Sequence, residues 1–309
     1  MRIFVAGATG AIGRPLISKL VERGHDVVGT TRHPEKQDAI RRAGATPTVM
    51  DGLDGASVKE AVTQAAPEVV IHELTAIPAN ADIKHLDDTL AMTNRLRSEG
   101  TDHLLEAARS AGARRFVAQS YAAWPYERQG GPIKTEDAPL DPDPPAAQRR
   151  TLTAIRYLES AVLGDPDVEG VVLRYGAFTG PGTPFGEGGE VREAVRRRRL
   201  PLVGSGQGIW SFVHIDDAAE ATALAAERGA LGIYNIVDDE PVPVRAWLPA
   251  FARALGAKPP RRIPVWLARL AIGEVGVSLM TQIRGASNAK ARRELGWEPS
   301  HAGWRATFL

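Results

Sequence analysis

The residues with the clearest chemical use fall within the first thirteen positions. Gly7-Ala8-Thr9-Gly10-Ala11-Ile12-Gly13 follows the apolar run Ile3-Phe4-Val5-Ala6, and a helical pattern begins directly behind it. Glycines spaced three apart between a strand and a helix are what a dinucleotide pyrophosphate requires. Gly7 permits the tight turn, Gly10 lets backbone N–H groups approach the phosphates, and Gly13 lets the helix pack close to the strand. Thr9, Ala11 and Ile12 lie in the same cradle, at the positive end of the helix dipole. Thiol chemistry and disulfides are excluded, because the chain has no cysteine. The seven histidines are dispersed, with no i, i+4 pair beside a carboxylate motif, so no metal site is expected.

The elements that must position this turn follow from the apolar pattern. Leu16, Leu20 and Val21 give the first helix its buried face, and Gly24 ends it. Strand patterns recur at 26–30, 46–50, 68–72, 115–120 and 171–175, with helical patterns at 35–43, 58–65, 93–111 and 151–163. Such alternation predicts an α/β fold: a Rossmann-type doubly wound parallel sheet with helices on both faces. Prolines and charges over 125–149 predict a long surface excursion. After Tyr175 the elements shorten. We therefore expect a dinucleotide-binding domain over 1–175, its sheet completed by parts of 205–240, and mainly a small C-terminal substrate-binding lobe over 176–309.

Composition narrows the partners. A 309-residue chain with formal charge +1 carries no electrostatic footprint for nucleic acid. Its one basic run, Arg196 to Arg199, reads as a solvated helix end. The chain opens directly on a strand pattern, so no signal peptide is expected, and no apolar run approaches a membrane span. The lack of cysteine fits a reducing cytoplasm.

With these elements in place, the chain resembles the extended short-chain dehydrogenase/reductase superfamily, of the NAD(P)-dependent epimerase/dehydratase type. The likeness runs through Gly7 to Gly13, Asp51-Gly52-Leu53, Asn94 before Gly100-Thr101, and Gln119-Ser120. It continues through Leu173-Arg174-Tyr175, Gly180-Pro181-Gly182, Phe212-Val213-His214-Ile215-Asp216-Asp217 and Tyr234-Asn235-Ile236. The resemblance implies that Asp51, Gly52 and Leu53 lie by adenine. It also places Leu74, Thr75, Ala76, Asn94, Gln119 and Tyr175 in the cofactor site. NAD-binding relatives end the second strand on an acid that bonds the ribose 2′-OH. Thr30 and Thr31 stand there instead, followed by Arg32, which can clamp a 2′-phosphate. NADP(H) is the expected cofactor.

The resemblance also implies a catalytic Tyr with Lys four residues on, the Lys and cofactor depressing the phenol's pKa. None of the five tyrosines has a lysine at that spacing. Counting back from Glu159, Thr151 stands for the Tyr and Ile155 for the Lys. Ser120 matches the family's substrate-binding serine and Tyr126 follows closely, so these two are the expected catalytic residues. Three accounts stand open: an acid from elsewhere in the chain, an acid from water or substrate, or a non-catalytic NADP(H) sensor.

The substrate reading turns on two further positions. Relatives that hold nucleotide-diphospho-sugars carry Asn where Ala177 stands and Arg where Trp210 stands. Losing an amide and a charged donor disfavours a nucleotide-sugar epimerase or dehydratase. Trp124, Trp210, Phe212, Trp266, Leu267, Leu270, Val277, Leu279 and Met280 supply apolar surface for a pocket. The 265–280 segment reads equally well as a packed or dimer-forming helix. The expected activity is NADPH-dependent reduction of a carbonyl or conjugated double bond in a small, largely apolar substrate.

Overall fold

The computed structural model describes every residue except Asn80, Ala123 and Leu309, together with the Thr307 side chain. Seven strands build the central sheet: β1 (Arg2–Ala6), β2 (Asp26–Thr31), β3 (Thr46–Val49), β4 (Val69–His72), β5 (Arg115–Tyr121), β6 (Glu169–Tyr175) and β7 (Gly232–Ile236). Their order is β3-β2-β1-β4-β5-β6-β7, and every pairing is parallel. Parallel strands buried on both faces need near-continuous apolar runs, and Ile3 to Ala6 and Val69 to Ile71 are fully buried.

Alternation of side chains divides the core into two layers. Ile3, Val5, Val117, Leu173 and Tyr175 pack with α1 (Gly13–Glu22) on one face. Phe4, Val70, Phe116 and Val172 face α3 (Gly55–Ala65), α4 (Ala91–Ser110) and α5 (Arg149–Gly164) on the other; α2 (Gln37–Arg42) joins β2 to β3. The chain reverses its direction of winding between β1 and β4. Ligands of such sheets bind at that switch, beyond the strands' C-terminal ends, and the Gly7 turn and the loop after His72 both emerge there.

A separate aromatic core gathers Phe185, Trp247, Phe251 and Phe308, all from beyond β6. Phe212, Val277 and Met280 belong to it as buried packing, whereas Trp266, Leu267 and Leu270 point to solvent. The helix Val265–Thr281 is broken at Gly273 (φ 68°), which turns the two halves onto different faces. The 125–149 stretch also departs from the expected surface excursion. Tyr126, Lys134, Asp141 and Gln148 are buried, and Ile133–Lys134 pairs with Gly285–Ala286. Its charges find partners within the fold rather than in solvent. Lys134 reaches Glu127 (2.9 Å) and Arg128 reaches Asp141 (2.8 Å). The arginine run does end a helix, Glu190–Arg196, with Arg196 and Arg197 paired to Glu193.

Candidate active site

The glycine turn has the backbone that a phosphate cradle needs. Gly7 has φ +99°, and a Cβ there would lie 2.7 Å from the Glu73 carbonyl oxygen. A Cβ on Gly13 would run into the Gly7 carbonyl and the Ala8 backbone, so only glycine lets α1 start this close to β1. No side chain caps the α1 N-terminus, which leaves its donors for an anion. These residues fit a dinucleotide.

Around the turn, Thr30 Oγ1 accepts from the Gly7 N–H (3.1 Å), and Thr31 Oγ1 accepts from the His33 N–H (3.1 Å). Arg32 is exposed at the end of β2. Asp51 is exposed and accepts from the Leu53 N–H (3.0 Å), while Leu74 and Leu96 close over Gly52. Leu74 and Ala76 are partly covered, Thr75 is exposed, and the Ala76 N–H donates to Thr93 (3.0 Å). These positions all line the switch-point edge.

Beneath the cradle lies an acid that sequence reading passed over. The Tyr175 hydroxyl donates to Glu73 Oε1 (2.9 Å) and contacts Thr222 Oγ1 (2.7 Å), while Glu73 Oε2 is buried without a partner. Tyr175 is thus a prop under the turn. Burial pushes the Glu73 carboxyl up to about 8, against the hydrogen bond from Tyr175 that lowers it. Folded, the group keeps its proton to about pH 8; unfolded, it releases it near the ordinary carboxylate range. Stability therefore falls as pH rises through that window. Glu73→Gln is expected to flatten this decline by roughly 1 kcal/mol per pH unit, read by urea unfolding at pH 6 and pH 8. Asp238, also held up to about 8 by burial, keeps the variant's slope from vanishing.

Ser120 and Tyr126 do not meet over an open site. The Ser120 hydroxyl donates to Glu159 Oε1 (2.6 Å), and Arg174 grips both Glu159 oxygens (2.8 and 2.6 Å). Arg174 also donates to the Tyr126 oxygen (2.9 Å), whose own proton goes to Asn235 Oδ1 (2.6 Å). Tyr126 is fully buried. Its donor proton and an acceptor lone pair are both committed, and the catalytic role expected for it lacks a free hydroxyl. Thr151 and Ile155 sit one turn apart on α5, Ile155 buried, and Thr151 Oγ1 donates to Asp87 (2.7 Å) while accepting from Asn94 (3.0 Å).

Instead, the edge beyond β5 and β6 holds a narrow apolar cleft of about 20 Å³, room for about one water as it stands. Tyr121, Trp124, Ala177, Trp210, Leu279 and Ile283 line it. Tyr121 and Trp124 meet ring to ring (5.9 Å), and the Trp210 N–H is fixed on the Leu279 carbonyl (2.9 Å). Ala177 and Trp210, distant in sequence, share this wall; neither offers a charged donor for a diphosphate. A wider cleft lined by Arg23, Glu220 and Glu227 sits at the opposite, N-terminal edge of the sheet, where those charges pair with one another.

The fold also collects histidines that are scattered in sequence. His214, Asp217 and His301 bring ligand atoms within 4.8 Å of one another. Asp217 accepts from the Ser300 N–H and hydroxyl and from the His301 N–H and Nδ1, and the two imidazoles stack at 3.7 Å. Stacked rings project their nitrogens side by side, and the group clasps the C-terminal segment. Among the described residues, no helix is long and apolar enough to cross a membrane.

A parallel Rossmann sheet with a glycine cradle at its switch point is the fold that nicotinamide-nucleotide enzymes of the short-chain type share. The model of the NAD dependent epimerase/dehydratase family matches residues 3–237, and the chain belongs to that family. It is 46% identical over 308 residues to a Streptomyces 3-diazoavenalumate denitrifying reductase, covering 99% of this chain and 98% of that one. A ketoreductase of Stigmatella aurantiaca, acting on a farnesylated dihydroquinoline oxide, is 30% identical over 96% of this chain and 92% of its own. Among solved structures, UDP-glucose 4-epimerase of Thermus thermophilus in complex with NAD superposes with TM-score 0.74. It is 27% identical and is matched over 100% of this chain and 98% of that one. The homologues are reductases and epimerases, which makes this chain an enzyme of oxidoreductase or epimerase type.

Proposed function

We propose that this protein is an NADPH-dependent reductase of a small, largely apolar aromatic substrate, and that the group reduced is an arene diazo group. The observation that carries this reading is the 46% identity, end to end, with a denitrifying reductase of a diazo compound. The residues of the site agree with it. Gly7 to Gly13 would hold the pyrophosphate of a reduced dinucleotide, which would supply a hydride; a ketone needs a proton besides, whereas an arene diazonium that accepts hydride and releases dinitrogen leaves as the arene without one. In the α5 positions where the family keeps its acid, Thr151 is tied to Asp87 and Asn94, and Ile155 is buried. The chain can dispense with that acid if its substrate does.

The walls at Trp124 and Trp210 are aromatic, would have to part to take in a flat ring, and offer a sugar nucleotide no charged grip. A second reading, reduction of a carbonyl or conjugated double bond, draws on the Tyr121 hydroxyl in the pocket and on the ketoreductase relative. The test is NADPH oxidation with arene diazonium salts beside aldehydes, ketones and enones, with dinitrogen release measured. Turnover of the diazonium with one dinitrogen per NADPH supports the first reading. Turnover of carbonyls alone replaces it with the second, and tight NADPH binding without any turnover makes the protein a sensor.

Cofactor choice rests on Arg32. Arg32→Ala is expected to weaken NADPH binding about tenfold and to leave NADH binding nearly unchanged, since only NADPH carries the phosphate that a guanidinium clamps. Isothermal titration with both nucleotides reads the difference, which added salt should shrink.

A further inference from the structure

The C-terminal lobe carries a face whose composition the cofactor and substrate sites do not explain. No Asp or Glu occurs from Ala194 to Ile215 or from Pro241 to Gly273, so the side-chain charge of these two stretches is all positive, in a chain whose formal charge is +1. The fold brings their basic parts together. Leu202–Val203 pairs in parallel with Arg262–Ile263, which sets the segments before those strands side by side, and Arg198 Nε donates to the Pro259 carbonyl (2.7 Å). Arg196 to Arg199, Lys258, Arg261 and Arg262 are all exposed. Arg196 and Arg197 share Glu193, whereas Arg198, Arg199, Lys258, Arg261 and Arg262 form no ion pair with the described residues. Like charges gathered in this way repel one another until an anion lies against them.

The helix Val265–Thr281 starts directly after this basic edge. In its half before Gly273, Ala268 alone is buried, while Trp266 and Leu270 are 64% and 67% exposed and Leu267 also faces solvent. A spacing of four residues puts Trp266 and Leu270 on one side of the helix. Exposed Ile83 adds to the apolar area, since its neighbour Lys84 donates to the Leu270 carbonyl (3.3 Å). Single exposed apolar side chains are ordinary, but a group of them beside an unpaired cationic edge marks an interaction surface.

We propose that this face docks the enzyme on an anionic lipid surface, lying on it rather than spanning it. The arginines and Lys258 meet the headgroups, and Trp266, Leu267 and Leu270 enter the boundary between headgroups and acyl chains. Cations beside a face of Trp and Leu are what an interfacial helix on an anionic membrane requires. A second copy of this chain fits worse, because a two-fold contact would bring two copies of one cationic edge together. A nucleic acid would use the cations and leave the leucines in water. Past Gly273 the same helix carries Leu279 to the wall of the apolar cleft, so the docked face and the cleft share one element.

The test is co-sedimentation of the full chain with vesicles of phosphatidylcholine, alone or with about 30% phosphatidylglycerol. The anionic vesicles are expected to bind it at least about tenfold tighter than the neutral ones, with most of that gain lost between about 0.05 and 0.5 M salt. Arg261→Ala combined with Arg262→Ala should weaken binding to the anionic vesicles about twentyfold, at roughly fivefold for each cation near the surface. Leu270→Ser should weaken it about tenfold. Brominated acyl chains should quench part of the wild-type fluorescence and Trp266→Phe should remove that quenching, since the other tryptophans are partly or fully covered. All these positions are exposed, so the variants should melt like the wild type and bind NADPH as it does. Equal binding to neutral and anionic vesicles overturns the proposal, as does no binding to anionic vesicles at low salt. Full binding by Leu270→Ser without acyl-chain quenching overturns it too, because charge alone would then hold the protein. Dimers in sedimentation equilibrium that Leu270→Ser abolishes would assign the face to a second copy instead. No readout needs turnover, so the outcome is independent of what the enzyme reduces.

Discussion

Gly13→Ala is expected to abolish nicotinamide cofactor binding, with affinity for NADPH reduced at least about a hundredfold, or roughly 2.7 kcal/mol. The added methyl meets backbone rather than a yielding side chain: the Gly7 carbonyl oxygen, and the Ala8 carbonyl carbon and Cα at 2.8 Å. The first turn of α1 must then move off β1, taking with it the free N–H groups that would face the pyrophosphate. Part of the strain is felt in stability, so the fluorescence titration should be paired with a melting curve. Gly10→Ala is the control that separates the two effects. Its Cβ has one tight contact, 3.2 Å to the Gly7 oxygen, and it should keep the fold while still crowding the approach to a phosphate. A Gly13→Ala protein that binds NADPH like the wild type would remove the turn from the cofactor site.

Arg174→Met is expected to cost about 3–5 kcal/mol of folding stability, the usual toll for stranding one member of a buried ion pair. Its guanidinium and Glu159 are 4% and 7% exposed as side chains and meet at 2.6 Å. Removing the arginine leaves the Glu159 carboxylate with only the Ser120 hydroxyl, and takes from Tyr126 the hydrogen bond that fixes its oxygen. Adding Glu159→Gln should recover a substantial part of the loss, because the remaining group is no longer charged. Urea unfolding of the two single variants and the double variant measures the coupling. The same wiring predicts how Ser120→Ala and Tyr126→Phe behave: each lowers stability by about 1 kcal/mol and leaves the hydride-transfer rate nearly untouched. A large kcat loss in either would return that residue to the catalytic site.

Ser120 and Tyr126 show what sequence reading leaves open. Both lie at the correct edge of the sheet, and a hydroxyl at the end of β5 is a reasonable catalytic choice. Whether it is free depends on Glu159, Arg174 and Asn235, which come from α5, β6 and β7 and are invisible as neighbours until those elements pack. Tyr121, the next residue along, carries no sequence signal of its own, because the family likeness falls on the serine beside it. Arg97 does leave a trace in the sequence. It stands four residues from Thr93 and from Thr101 on the buried face of α4, a position that ordinarily takes an apolar side chain. Glu73, between the buried His72 and the partly covered Leu74, leaves a similar one.

The sequence by itself determined the parallel sheet, the place and backbone chemistry of the glycine cradle, and the lack of a Tyr-Lys pair. Those features are local, set by runs of apolar residues, by glycines whose missing Cβ matters within a few residues, and by spacing along one helix. Only the tertiary structure decided which polar groups are spent and which are spare. Satisfaction of a buried hydroxyl, carboxylate or guanidinium is a sum over all the elements that surround it, and those elements are far apart in the chain. By that sum Ser120 and Tyr126 are occupied, Glu73 is held protonated under the cradle, and the Arg97 Nη1 is left without a partner among the described residues.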